Sequence, residues 1–353
     1  MPRGYEESSF KTLHRDIRDV NEATVIQMVQ VSGITEQTYT SLSHEASKQS
    51  RLTEAASLAK TIFKNPAALR RFRVMDADEE RYVRPPREYE IPPFHESMRY
   101  CTSNEKYLRP TRWCNPHEPE VVAMANELGA YEKSDYEFAE AAYWFVKTKM
   151  AVEMLPLNSV SATLKRGTGT CYHLISVFIA LCRAAGIKAR YKTFRMKLLE
   201  GWLDIEMSEQ EAMMAPMFNM GVPEGEGEAY IDGTWVVAHV AMRPELLAFH
   251  GLPITRFGDD AIGMTFTLIP GTIKRFESLS LRLGIATKAG MWLAPATMER
   301  ATLAAQARLP EGRQVIEKAG GIEAYDQKVR RNLKLFSPVI EIKHDEALVF
   351  EEG

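Results

Sequence analysis

The chain has 353 residues, of which 45% are hydrophobic, and a formal net charge of −3 at pH 7. This length suits one large or two ordinary globular domains. The small net charge argues against a protein that binds nucleic acid or an anionic membrane surface. The first residues contain no apolar signal sequence, and the longest apolar run, 174–181, is too short to cross a bilayer. We therefore expect a cytoplasmic protein without a membrane partner.

Residues 1–83 are predicted to form a helical N-terminal region. Apolar and charged positions recur there at helical spacing near 24–31, 37–63 and 66–73. Residues 84–106 contain two Pro-Pro pairs, which stop helices and favour extended chain. We interpret 84–106 as a linker that wraps onto the next domain.

The following segment, 107–245, is predicted to be the main domain. Amphipathic patterns predict helices at 118–128 and 135–149, and a third at 171–185 that ends before Gly186. Alternating residues after Gly186 predict a strand, and Asp232-Gly233 predicts a hairpin turn. A methionine-rich insertion covers 200–223, and Gly225 and Gly227 argue against a regular strand between it and the hairpin.

Residues 246–353 are predicted to be a C-terminal extension. Segments 245–249, 271–283, 298–307 and 322–335 are expected to be helical or mixed, and 338–342 alternates like an edge strand.

The residues around Cys171 carry the strongest chemical signal in the chain. Cys171 follows the small-residue run Gly167-Thr-Gly-Thr170 and opens an apolar helix. Unpaired amides and the helix dipole at such a position favour a thiolate, which is the nucleophilic form of cysteine. We expect Gly169 and Thr170 to allow close approach of a substrate and to lie beside the oxyanion donors.

The four cysteines do not form the pattern of a disulfide framework. Cys101 and Cys114 are 12 residues apart and lack the close pairing of a zinc site. The sequence thus predicts free thiols and no cofactor.

Residues 167–191 resemble the nucleophile segment of the transglutaminase-like (papain-like thiol enzyme) superfamily. In that family Gly-x-Cys opens a helix that ends in Arg-Ala-x-Gly-Ile-x-Ala-Arg, here Arg183 to Arg190. The resemblance extends over about 107–240. It implies an α+β fold, with helices and a small antiparallel sheet, and acyl transfer or hydrolysis at an amide or thioester through an acyl-enzyme on Cys171. The substrate would be a small molecule, a peptide or a carrier-bound acyl group.

The catalytic pair departs from the family pattern. The family has His-x-Trp-x-Glu-x-Tyr on one strand and Trp-x-x-x-Asp on the next. Aligning Glu228, Tyr230 and Trp235 with these motifs places Glu224 at the histidine position and His239 at the aspartate position.

Three interpretations of this exchange remain open. In the first, His239 is the general base of Cys171 and Glu224 orients it, because a triad is defined by roles rather than by order. In the second, another histidine serves the thiol, with His250 the best candidate. In the third, the triad is broken and the fold serves as a binding or scaffold protein.

Further candidates flank this set. Arg190 and Trp235 are assigned to the substrate region, although a structural ion pair is the interpretation that we favour for Arg190. Glu224, Glu226 and Glu228 share one strand face and with His239 offer a set of metal ligands, the weakest alternative.

Overall fold

The computed structural model of the chain describes residues 66–197, 222–261, 267–268 and 272–333. Within these ranges the helices are α1 Pro66–Arg73, α2 Pro119–Glu127, α3 Asp135–Lys149, α4 Val160–Arg166, α5 Cys171–Ala184, α6 Pro244–Phe249, α7 Leu281–Leu293, α8 Pro295–Ala307, α9 Leu309–Lys318 and α10 Ile322–Leu333. The strands are β1 Ala151–Val152, β2 Thr168–Gly169, β3 Ala189–Lys197, β4 Val222–Ile231, β5 Thr234–Ala238, β6 Thr267–Leu268 and β7 Lys274–Phe276.

The strands form two sheets. A five-stranded antiparallel sheet has the order β5-β4-β3-β6, and β7 also pairs with β3. The short strands β1 and β2 pair in parallel immediately before α5. The mixture of helices with a small antiparallel sheet is the α+β class that the sequence predicted.

Helix α5 lies at the centre of the main hydrophobic core. Its residues from Tyr172 to Ala184 are all buried, and it packs against α2, α3, α4 and β4. A helix that is apolar on every side is stable only inside a protein, because each buried Leu, Ile or Phe contributes roughly 1.5–3 kcal/mol. The helix ends before Gly186, whose φ of 87° is the left-handed conformation that glycine adopts easily.

Strand β4 corrects one expectation from the sequence. It runs without interruption through Gly225 and Gly227, where a regular strand was not expected. A Cβ at position 227 would lie 2.6 Å from the Phe178 ring, and one at 225 would lie 3.2 Å from Ile175. The two glycines are therefore present because α5 lies directly on the strand, and a strand with this packing needs them.

A second hydrophobic core joins the sheet to the C-terminal helices. Phe194 from β3 packs there with residues of α6, α9 and α10, among them Leu247, Ile316 and Tyr325. The segments 245–249, 271–283, 298–307 and 322–335 are predicted to be helical or mixed. Helices occupy the first, the third and the described part of the fourth, and 271–283 is mixed, with β7 and the start of α7.

Some predictions fall outside the described residues. These are the helices at 24–31 and 37–63, the methionine-rich insertion up to residue 221, and the edge strand at 338–342. The proposed division into 1–83, 84–106, 107–245 and 246–353 stays a prediction. Among the helices that the structure describes, none combines the length and apolarity needed to span a membrane.

Candidate active site

Cys171 is the first residue of α5 and is half-buried. The preceding turn is fixed by His173, whose Nδ1 accepts a hydrogen bond from the Thr170 amide at 3.1 Å. Because Nδ1 accepts, Nε2 carries the proton and donates to the Pro156 carbonyl at 3.1 Å. Burial lowers the pKa of His173 to about 4, so this imidazole is neutral. His173 thus holds the backbone in front of the thiol.

Gly169 is required by the same contact. A Cβ at this position would lie 2.4 Å from the Cβ of His173, a distance that side chains do not reach. The Gly169 carbonyl accepts a hydrogen bond from the Glu153 amide. The sequence predicted that Gly169 allows a substrate to approach closely, but the side chain that lies against this glycine is that of His173. The Thr170 amide is also occupied, which leaves the first amides of α5, those of Cys171 and Tyr172, as the donors able to face an oxyanion.

The group beside the Cys171 thiol is the carboxyl of Glu224. Burial raises the pKa of Cys171 well above its usual range, and Glu224 raises it further through its charge and a hydrogen bond with the sulfur. The amides of Tyr172 and Cys171 act in the opposite direction but do not outweigh these effects. The thiolate expected from the helix N-terminus is therefore not the favoured form, because an anion and a low-polarity surrounding oppose it.

Glu224 itself has an unusual proton affinity. Burial raises the pKa of its carboxyl to about 7, the neighbouring charge of Glu226 adds to this, and hydrogen bonds from the Gly225 amide and the Cys171 thiol partly offset it. Among the described residues, no cation lies at ion-pair distance from Glu224. The side chain at the family's histidine position is thus a carboxyl that titrates near the pH at which a free imidazole titrates.

His239 lies in a different environment. It is fully buried, its Nδ1 is 3.2 Å from the Thr255 hydroxyl, and its backbone carbonyl accepts from Lys147 Nζ at 2.9 Å. Burial lowers the pKa of His239 well below its usual range, and the charges of Lys147 and Lys192 lower it further. A neutral, enclosed imidazole of this kind is typical of a structural residue.

The strand register argues against the predicted pair of Glu224 and His239. Gly227 is paired with Ala238 in the antiparallel ladder between β4 and β5. Continuing this ladder by one residue places His239 beside Glu226, which is two residues from Glu224. The second candidate, His250, follows α6, and its ring contacts that of Phe249.

Glu226 and Glu228 have cationic partners. Glu226 is buried 2.8 Å from Lys192 Nζ, and its other oxygen accepts from the Ala261 amide at 2.9 Å. Glu228 binds Arg190 Nε at 2.6 Å and Arg275 Nε at 3.1 Å. The three carboxylates therefore serve separate partners and do not converge as the metal alternative requires.

Arg190 and Trp235 form part of this ion-pair region. The Arg190 guanidinium lies 3.8 Å from the centre of the Trp235 ring while it binds Glu228. Glu228 is four residues, or about 13 Å of strand, from Glu224. The structural ion pair favoured for Arg190 is present, and both residues lie at the hairpin end of the sheet.

Lys147 and Lys192 were not expected from the sequence. Lys147 is fully buried on α3, donates to the Thr255 hydroxyl at 2.9 Å, and has a pKa that burial lowers to about 7. The only sequence signal was its spacing of four residues from Tyr143 on the buried face of the helix. A lysine at such a position usually extends toward solvent.

Residues 122–238 match the family model described as the transglutaminase-like superfamily. No curated protein sequence matches the chain significantly.

Among solved structures, a proposed cysteine protease from Cytophaga hutchinsonii is 22% identical, with a TM-score of 0.30. The match covers 49% of this chain and 51% of that one, so the chain spans about half the length of that protein. The family model, the cysteine that opens α5 and the antiparallel sheet beside it agree, and residues 122–238 belong to the transglutaminase-like superfamily, a family of thiol-dependent enzymes.

Proposed function

We propose that the protein catalyses acyl transfer or hydrolysis through an acyl-enzyme on Cys171, with Glu224 rather than His239 as the proton acceptor. This proposal rests on the position of the Glu224 carboxyl beside the Cys171 thiol, where each group shifts the pKa of the other. A general base works best when its pKa is close to the working pH, and the pKa of about 7 at Glu224 meets that condition. The carboxyl would therefore do the work of the family's imidazole.

The reaction would begin with Glu224 ionised and Cys171 as a thiol. As sulfur bonds to the carbonyl carbon, the thiol proton moves to the Glu224 carboxylate, and the carbonyl oxygen becomes an oxyanion facing the amides of Cys171 and Tyr172. Protonated Glu224 then gives its proton to the leaving amine or thiol as the carbon–leaving group bond breaks. Water or an amine then attacks the resulting thioester, and Glu224 accepts the proton of that attacking group. As the carbon–sulfur bond breaks, Glu224 returns this proton to the sulfur, which releases the acid or amide and restores the Cys171 thiol.

The raised pKa of Cys171 supports a second candidate, a binding protein that has kept the fold without the chemistry. A thiol held well above its usual pKa is a poor nucleophile unless a base removes its proton during the attack. The two candidates differ in one observable, which is covalent acyl transfer to Cys171.

The test uses 4-nitrophenyl acetate as acyl donor, followed by peptide mass spectrometry. The enzyme proposal predicts an acetyl group on Cys171 and release of nitrophenolate, both lost in Cys171→Ala. Cys101→Ala removes another partly exposed thiol and is the matched control, with unchanged release expected. Equal nitrophenolate release by wild type and Cys171→Ala, with no acetyl on Cys171, would contradict the enzyme and leave the binding protein.

A further inference from the structure

Tyr172, the second residue of α5, is a buried tyrosine whose hydroxyl makes no hydrogen bond with any residue that the structure describes. The residue is 6% exposed. A buried phenol hydroxyl usually has a hydrogen-bond partner, because an unpaired polar group is costly away from water. The hydroxyl of Tyr172 is therefore available to a ligand.

Each of the other three buried tyrosines in the described ranges has a partner for its hydroxyl. These pairs are Tyr143 with the Thr255 carbonyl, Tyr191 with the Ser176 hydroxyl and Tyr325 with the Leu252 carbonyl. Those three hydroxyls stabilise the fold by joining separate segments of the chain. The hydroxyl of Tyr172 makes no such connection, so the fold does not explain why position 172 carries a tyrosine rather than a phenylalanine.

The Tyr172 ring is held against β4 by a glycine. A Cβ at Gly225 would lie 3.3 Å from Tyr172 Cε1, so a larger residue at this position would press on the ring. The backbone is also fixed, since the Ser176 hydroxyl donates to the Tyr172 carbonyl at 2.6 Å. Gly225 directly follows Glu224 in the chain. The ring is therefore fixed beside the residue that carries the proposed base, and it needs little reorganisation to bind a ligand there.

The phenol also lies close enough to Cys171 and Glu224 for their charges to act on it. Burial raises the pKa of Tyr172 well above its usual range, and the charges of Cys171 and Glu224 raise it further. The hydroxyl therefore keeps its proton at neutral pH and serves as a hydrogen-bond donor rather than as an acid. Because neither Cys171 nor Glu224 accepts this hydrogen bond, a substrate atom bound at the thiol can accept it.

We propose that the Tyr172 hydroxyl donates a hydrogen bond to the carbonyl oxygen of the acyl group that reacts with Cys171. This inference rests on the proposed function and adds a side-chain donor to the amides of Cys171 and Tyr172. The carbonyl oxygen gains negative charge as sulfur bonds to the carbon. A fixed donor in an enclosed site stabilises that charge more than it stabilises the neutral carbonyl. Tyr172 forms no covalent bond and transfers no proton in this role.

Two reactions of Cys171 distinguish this role from a general effect on the thiol. Acetylation by 4-nitrophenyl acetate passes through an oxyanion, whereas alkylation by iodoacetamide displaces iodide from a saturated carbon and forms none. Removing one oxyanion donor typically costs about 10²–10³ in rate, and two amides remain in Tyr172→Phe. We expect this variant to slow acetylation at least about tenfold and to leave the alkylation rate within about twofold of wild type.

Tyr325→Phe is the matched control, because it removes the hydroxyl of a buried tyrosine that has a partner in the fold. Its acetylation rate should stay within about twofold of wild type, while its urea midpoint should fall because a buried hydrogen bond is lost. Tyr172→Phe should behave in the opposite way. Its urea midpoint should equal or exceed that of wild type, because no hydrogen bond of the fold is removed.

Four results would overturn the inference. Equal acetylation rates in wild type and Tyr172→Phe would overturn it alone and leave the acyl-enzyme in place. Equal slowing of acetylation and alkylation would mean that the tyrosine acts on the thiol rather than on the oxyanion. A lower urea midpoint in Tyr172→Phe, as in Tyr325→Phe, would show that the hydroxyl serves the fold. Absence of an acetyl group on wild-type Cys171 would contradict the acyl-transfer proposal and this inference together.

Discussion

Glu224 and Glu228 occupy the same face of the same strand but differ in what surrounds them. Glu228 lies between two guanidinium groups, at 2.6 Å from Arg190 and 3.1 Å from Arg275. Glu224 has a thiol beside it, and within the described ranges no cation balances its charge. The neighbouring groups therefore determine what each carboxyl can do. Glu228 forms ion pairs that link β4 to β3 and β7. A buried carboxyl without a counter-charge, such as that of Glu224, can take up a proton near neutral pH.

The largest expected effect compares Glu224→Gln with Glu228→Gln in acetylation of Cys171. General base catalysis typically contributes a factor of about 10²–10⁴, so Glu224→Gln should slow acetyl transfer from 4-nitrophenyl acetate about a hundredfold or more. Glu228→Gln should leave the rate within about threefold, since Glu228 binds arginines at the hairpin end. Equal rates in the two variants would remove Glu224 from the reaction.

The same comparison predicts a pH-dependent difference in stability. An unfolded glutamate has a pKa of about 4.3, whereas that of Glu224 in the fold is about 7. Between these values the unfolded chain loses its proton first, so the free energy of unfolding of wild type should fall as pH rises from 4.3 to 7. The fall relative to Glu224→Gln should be on the order of 3 kcal/mol.

Urea unfolding of both proteins at pH 4.5 and pH 8 measures this difference. Glu226 has a similarly raised pKa but is present in both proteins, so its contribution cancels to first order. A difference between the two proteins that does not change with pH would show that Glu224 is not an enclosed, unbalanced carboxyl.

Gly227→Ala tests the close packing of α5 on β4 at a position between Glu224 and Glu228. The new Cβ would lie 2.6 Å from the Phe178 ring, so the variant should lose about 1–3 kcal/mol of unfolding free energy. Gly290→Ala in α7 is the control, because nothing lies within 4 Å of its Cβ and alanine favours helix. It should be neutral or stabilising by up to about 1 kcal/mol. Similar denaturation midpoints for wild type and Gly227→Ala would mean that α5 does not lie on β4 as described.

The smallest effect on stability is expected for Arg190→Met, at the hairpin end of the sheet. Arg190→Met removes the contact with Glu228 and the stacking on Trp235, while Arg275 still binds the carboxylate. A loss of about 1 kcal/mol in unfolding free energy is expected, with Cys171 acetylation unchanged within about twofold. Reduced acetylation at unchanged stability would instead return Arg190 to the substrate region.

Local sequence signals predicted much of the fold. Helix α3 occupies the predicted range, because Ser134 and Glu137 form a capping box at its start. The hairpin turn also lies where Asp232-Gly233 placed it, and both residues have positive φ, as this turn requires. These features depend on residues that are close in the chain.

What the sequence could not predict depends on contacts between distant segments. The motif alignment placed Glu224 at the family's histidine position, as the group that orients His239, whereas the proposed role as a base rests on the enclosure of its carboxyl. The same reason explains why the sequence did not predict a regular strand through the glycines of β4. Glycine is required at these positions because Phe178 and Ile175 of α5 pack against the strand. The role of His239 depends on Lys147 and Thr255, which are far away in sequence.

The central claim is that Glu224 is the partner of the Cys171 thiol. It is tested most directly by the pH dependence of Cys171 alkylation by iodoacetamide in wild type, Glu224→Gln and Glu228→Gln, followed by mass spectrometry. The account predicts that the wild-type reaction needs a pH well above the free-thiol pKa of about 8.5, that Glu224→Gln moves the profile to lower pH, and that Glu228→Gln leaves it in place. Rapid wild-type alkylation well below pH 8.5, slowed by His239→Gln and unaffected by Glu224→Gln, would contradict the account and restore the imidazole as the partner.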